Sequence, residues 1–213
     1  MDPAKRQIAF VNVAHIITHY GLLILATAVL AMVVQEGATF GTAYGPILAL
    51  GTGMFVIYGL GSLPMGWIAE RTGRPALLLA FFLGAGVAMV TAGFATGPWG
   101  LAAALFVTGA FSAIYHPIGT AMLVDAAGER VGASVGVNGV FGNLGVALAP
   151  VVTAAVAAAF GWRWAFILPG LLSVLAGLLY WQNGLLDVAR EKAAGRPFPV
   201  IPAPVVRRAV IVL

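Results

Sequence analysis

Residues 8–34 read IAFVNVAHIITHYGLLILATAVLAMVV, without one Asp, Glu, Lys or Arg. As a helix rising 1.5 Å per residue this run covers about 40 Å, more than the roughly 30 Å hydrocarbon core of a bilayer. It is too long for the 7–15 residue apolar core of a signal peptide, and it holds Asn12, His15 and His19. The small-residue triplet Ala26-Thr27-Ala28 is therefore not read as a cleavage site. Five more charge-free apolar runs follow, at 43–68, 76–95, 99–124, 132–159 and 164–183. Each is long enough to span, and a helix satisfies its own backbone in lipid. The expected fold class is an all-α membrane protein with a six-helix bundle over residues 1–185.

Composition agrees. Of the 213 residues 61% are hydrophobic and 8% charged, against roughly 25% charged in soluble domains. So few charges cannot cover a water-facing surface. With no Cys in the chain, disulfides, thiol catalysis and thiolate metal sites are all excluded.

Charge placement sets the topology. With the N-terminus inside, Lys5, Arg6, Arg71, Arg74, Arg130, Arg190, Lys192, Arg196, Arg207 and Arg208 are internal, and Arg163 alone is external. Basic residues mark the cytoplasmic loops, so both termini are expected there. The net charge of +4 thus reports orientation, and nucleic acid is not an expected partner. Residues 186–208 read as a basic, Pro-containing cytoplasmic linker. Arg207 and Arg208 then precede five apolar residues, 209–213, which resemble the start of a seventh span. The expectation is one half of a larger assembly.

Polar residues at membrane depth are costly and tend to face a cavity or a partner. Asn12, His15 and His19 share one face of the first span at 100° per residue. Thr108, Ser112, His116 and Thr120 recur every four residues in the fourth. If the six spans are two three-helix repeats, as in many transporters, spans one and four are equivalent, and all three His of the chain lie on them. Imidazoles there suit proton transfer or hydrogen bonding to a substrate. Two of them at i and i+4 also face a metal together, but no carboxylate or thiolate accompanies them, so no metal is assigned. Nor is a cofactor, a P-loop or a Ser–base–carboxylate arrangement present, so no enzyme is expected.

Small residues supply helix packing in lipid. Gly132, Gly136, Gly139, Gly142 and Gly145 form the densest seam, in span five, while Pro117 and Pro150 are expected to kink or break spans four and five.

The loop Gly66-Trp67-Ile68-Ala69-Glu70-Arg71-Thr72-Gly73-Arg74-Pro75 closely resembles the G-x-L-A-D-R-x-G-R-R/K signature of the major facilitator superfamily. It departs at Ile68, Glu70 and Pro75. Gly139, Gly142, Asn143 and Gly145, with Ala149-Pro150, resemble that family's helix-five motif associated with antiporters. Gly161-Trp162-Arg163-Trp164-Ala165-Phe166 resembles its start of helix six. His15, His19 and Tyr20, with Tyr115-His116-Pro117 and Gly119, are most similar to its fosmidomycin-resistance-type efflux branch. Phe106 stands where the family's helix-four Arg usually precedes a Gly by three residues, here Gly109.

The resemblance implies the N-terminal half of a rocker-switch transporter, with helices one and four lining a cavity between two six-helix halves. It implies that Gly66, Glu70, Arg71, Gly73 and Arg74 gate the cytoplasmic side. In physical terms Gly66 and Gly73 allow a tight turn and close approach, and Glu70 can pair with bases or with a helix N-terminus of the other half. Expected partners are lipid, a small organic substrate, protons and a second half, in the inner (plasma) membrane of a bacterium. Substrate or proton candidates are Asn12, His15, His19, Ser112, Tyr115 and His116. A non-transporting membrane subunit, or an assembly factor binding another membrane protein, is the alternative.

Overall fold

The structure is a computed structural model that describes residues 2–185, 187 and 188. Apart from Asp187 and Val188, the expected linker and the expected seventh-span start lie outside the described residues. All regular structure among the described residues is helical. It comprises α1 (Pro3–Gln35), α2 (Gly37–Phe40), α3 (Tyr44–Ala49), α4 (Thr52–Gly61), α5 (Met65–Thr72), α6 (Arg74–Gly93), α7 (Pro98–Ser112), α8 (Thr120–Ala127), α9 (Val131–Phe160) and α10 (Trp162–Gln182). A π turn, Tyr115–Gly119, joins α7 to α8, and a 3₁₀ turn, Gly128–Arg130, joins α8 to α9.

Five helical stretches are long and apolar enough to cross a membrane, one of them the 63 residues of Pro98–Phe160. At 1.5 Å per residue that stretch would cover about 95 Å, some three bilayer cores. Gly128, at φ 57° and ψ −125°, turns it back, and α8 packs against α9. The described residues therefore form six membrane segments: α1, α3–α5, α6, α7–α8, α9 and α10.

Their packing follows a two-fold pattern. α1 packs on α9 as α4 packs on α7, α1 meets α10 as α6 meets α7, and α6 packs on α10. Exchanging the first three segments for the last three interchanges the members of the first two comparisons and returns α6–α10 to itself. This is the arrangement of two three-helix repeats.

Glycines set the crossings. A Cβ on Gly145 of α9 would lie 2.5 Å from the Ile16 carbonyl oxygen of α1, and one on Gly109 of α7 would strike the backbone of Met54 in α4. Gly86 and Gly170 meet reciprocally, a Cβ on either coming within 2.7 Å of the other's carbonyl oxygen. Backbones approach this closely because lipid offers no hydrophobic drive between helices, so dispersion contacts must be dense.

The seam expected in α9 is narrower than the sequence suggested. Its buried stripe is Asn138, Gly142, Gly145, Ala149, Thr153 and Ala157, steps of three and four that keep one face on α1. Gly132, Gly136 and Gly139 have open space where a Cβ would stand. Pro150 does not break α9, which runs through it as α-helix. One missing N–H is a small loss in a 30-residue ladder, and membrane helices tolerate it. Pro117 does interrupt its helix, lying within the π turn, where the extra residue per turn absorbs a position without an N–H donor.

The two ends of the bundle are tied alike, each by a Gln of α1. At the end carrying Arg6, Arg71, Arg74 and Arg130, here the basic end, Gln7 donates to the Met122 carbonyl at 2.7 Å and accepts from the Val188 N–H at 2.9 Å. At the far end, Gln35 donates to the Ala157 carbonyl at 3.3 Å and accepts from the Trp162 N–H at 3.0 Å.

Candidate functional site

The candidate site lies where α1, the π turn and α9 meet. His15 and His19, one turn apart on α1, bring their Nε2 atoms to 3.0 Å. His15 Nδ1 lies 2.8 Å from the backbone carbonyl oxygen of Asn138. A carbonyl only accepts, so Nδ1 carries the proton and the Nε2 lone pair faces His19. Gly142 makes this possible, since a Cβ there would come within 2.5 Å of the His15 ring.

The π turn supplies the third imidazole. Neighbours on an α-helix point about 100° apart, yet the Tyr115 and His116 rings sit 5.1 Å apart and both reach the cluster. Tyr115 stacks on His15 at 4.9 Å, and His116 stands edge-on 5.4 Å from His15 and 5.6 Å from His19. Each His offers a ring nitrogen, and the three lie within 4.8 Å of one another. Burial is graded: His15 is buried, His19 half-buried and His116 exposed. The cluster therefore opens through His116.

Asn138 holds the cluster together. Its Nδ2 donates to Asn12 Oδ1 at 2.8 Å, and its amide lies 3.1–3.2 Å from the Tyr115 hydroxyl through both Nδ2 and Oδ1. Tyr58 of α4 adds a ring 6.1 Å from His116. Sequence reading missed both Asn138 and Tyr58. Asn138 had a signal, since it is an amide at membrane depth like Asn12. Asn143, chosen instead through its motif, is exposed. It lies five residues on, about 140° around the helix from Asn138.

Of the candidates, Asn12, His15, His19, Tyr115 and His116 are brought together. Ser112 is buried in α7 and makes no hydrogen bond to an imidazole among the described residues. The expected four-residue stripe ends at the π turn: Thr108 and Ser112 are buried, whereas His116 and Thr120 are exposed. The inserted residue rotates everything beyond it.

The expected gating loop sits at the basic end and divides the same way. Gly73 is the turn, at φ 82° and ψ 142°, a region open to Gly and strained for other residues. Gly66 has no such need, being inside α5 with open space around it. The Arg71 guanidinium stacks 3.6 Å from the Trp67 ring centroid. Glu70 has no ion-pair partner among the described residues. Arg74 grips Asp187 through Nη2 at 2.7 Å and Nε at 3.1 Å, and Asp125 through Nη1 at 2.6 Å.

A family profile described as Major Facilitator Superfamily matches residues 11–213. The probable sulfoacetate transporter SauU of Cupriavidus necator is 36% identical over 117 residues, 54% of this chain and 27% of that protein. The membrane sensor protein UhpC of Salmonella typhimurium is 30% identical over 151 residues, 70% of this chain and 33% of that protein. The chain thus spans about a third or less of the length of these curated relatives.

Proposed function

This chain belongs to the Major Facilitator Superfamily, an integral membrane protein family of transporters, and from that premise we propose a proton-coupled exporter of a small organic molecule working by alternating access. The observation that carries the reading is the imidazole–tyrosine–asparagine cluster at membrane depth, open through His116. Polar groups held there at the cost of desolvation are expected to meet a cargo or a proton. His15, His19 and His116 serve as proton or substrate groups, with Asn12 and Tyr115 positioning them. The likeness to a probable sulfoacetate transporter supports a small organic substrate. Similarity of the His15/His19 and Tyr115-His116-Pro117 motifs supports the fosmidomycin-resistance-type branch.

The cavity's other wall is a second six-helix half, in the same chain, a separate chain or a second copy. Gly66, Glu70, Arg71, Gly73 and Arg74 form the cytoplasmic gate, with both termini cytoplasmic in a bacterial inner membrane. Gly139, Gly142, Asn143, Gly145 and Pro150 form the antiporter-type helix-five motif. The test uses proteoliposomes loaded with a pH-sensitive dye and challenged with a panel of small organic acids and antibiotics under a pH gradient. At least one compound should drive proton flux that falls to the level of empty vesicles in His15→Ala, His19→Ala or His116→Ala. Unchanged flux in all three variants would refute the coupling role.

The likeness to a membrane sensor protein favours one second reading, a non-transporting subunit on the same scaffold. Stoichiometric co-purification of a partner polypeptide, with no flux from the complex, would establish it.

A further inference from the structure

We infer that the His15–His19–His116 cluster is a metal-ion site for a borderline divalent ion of the Zn²⁺, Ni²⁺ or Co²⁺ class, three-coordinate to protein with its fourth position open. The sequence presented two imidazoles at i and i+4. The fold adds the third from another helix, so that three ligand nitrogens fall within 4.8 Å of one another. A tetrahedral site with Zn–N bonds of about 2.0–2.1 Å holds its nitrogens about 3.4 Å apart. The His15 and His19 Nε2 atoms, at 3.0 Å, are already near that spacing. Closing the third side takes a rotation of His116, the exposed member.

The surroundings of the ligands argue in the same direction. Metal-binding His residues commonly donate the second ring N–H to a carbonyl, which fixes the tautomer and aims the free lone pair at the ion. His15 does this, its Nδ1 facing the Asn138 carbonyl at 2.8 Å. Asn138 is itself held by Asn12 and Tyr115, and the His15 ring is stacked on Tyr115. This imidazole is therefore fixed before any ligand arrives. The donor set is all nitrogen, because the chain has no Cys and no carboxylate among the described residues joins the group. Such a set suits Zn²⁺, Ni²⁺, Co²⁺ or Cu²⁺ and not Mg²⁺ or Ca²⁺, which take oxygen. Three neutral ligands leave the ion's double charge uncompensated, so the open position on the His116 side favours an anionic fourth ligand. An ion held this way exchanges readily, unlike one in a closed four-ligand structural site.

The inference does not depend on transport, because occupancy is measured without a gradient. The three His of the cluster are the only ones in the chain, so the full chain must be purified without a histidine tag. Titration with Co²⁺ should give the intense visible bands of a tetrahedral site at one ion per chain, and added Zn²⁺ should displace them. His15→Gln, His19→Gln and His116→Gln should each weaken binding by at least about tenfold. X-ray absorption at the Zn edge of the unmodified protein needs no variant and should count three imidazole nitrogens. Fewer than three nitrogens, or Co²⁺ binding no tighter than in the triple Gln variant, would overturn the site.

Discussion

The turn before α6 and the turn before α10 occupy equivalent places in the two repeats and share a backbone. Gly73 sits at φ 82°, ψ 142° and Gly161 at φ 92°, ψ 158°, each ending one helix and opening the next. Each is followed within two residues by an Arg that ties its end of the bundle. What the two Arg hold is different. Arg74 binds two carboxylates, with Asp187 gripped bidentately. Arg163 binds one carboxylate, Glu36 at 3.2 Å, and two carbonyls at the C-terminal end of α6, those of Gly93 at 3.1 Å and Ala95 at 2.8 Å. The far-end tie caps unpaired carbonyls and sits at the negative end of a helix dipole. At the basic end the tie is purely charge to charge. The duplicated arginine has thus been given backbone carbonyls beside its carboxylate at one end and carboxylates alone at the other.

Removing Arg163 should cost the most. Arg163→Ala strands the α6 carbonyls and Glu36, a loss of about 2–3 kcal/mol, seen as an early midpoint in SDS-induced unfolding. If Arg74→Ala costs more, the backbone anchor is not the stronger tie. Next comes the shared glycine conformation. Gly73→Ala and Gly161→Ala should each cost about 1–2 kcal/mol, since a Cβ is strained at these φ values. Equal losses at the two turns would show that backbone, not arginine, is what the repeats have in common. Asp187→Asn should cost about 1 kcal/mol and Asp125→Asn less, because the Asp125 side chain is 40% exposed against 9% for Asp187. Salt sharpens the contrast most gently. Raising ionic strength to about 1 M shortens the screening length to about 3 Å, and should shrink the effect of Asp125→Asn while leaving that of Arg163→Ala nearly unchanged.

The spans were legible because an uncharged apolar run of about twenty residues matches the thickness of a bilayer core, a length that a buried helix of a soluble domain rarely reaches without a charge. The two turns were also visible, as Gly73-Arg74 and Gly161-Trp162-Arg163, though their equivalence emerges only from the inverted packing. The site was legible in part. His15, His19 and Asn12 share a face that helical spacing finds, but His116 joins them through a π turn, which no 3.6-residue period can express. Asn138 stood out as an amide in an apolar, Gly-rich helix, but Asn143 did so equally, and only the packing of α9 on α1 shows which of the two is buried. Asp187 sits in a stretch that reads as linker, and its grip on Arg74 is a contact across 113 residues.

The reciprocal approach of Gly86 and Gly170 carries a consequence of a different kind. In a duplicated fold the third segment of each repeat meets its own counterpart, so this crossing behaves like the contact of a symmetric dimer, with each residue both knob and socket. Such contacts usually drift by paired exchange, one side growing as the other shrinks. Here neither side can shrink, because no residue is smaller than glycine. Any enlargement at 86 or 170 must be absorbed by moving the two repeats apart, so the crossing should resist compensatory change long after the rest of the duplication has diverged.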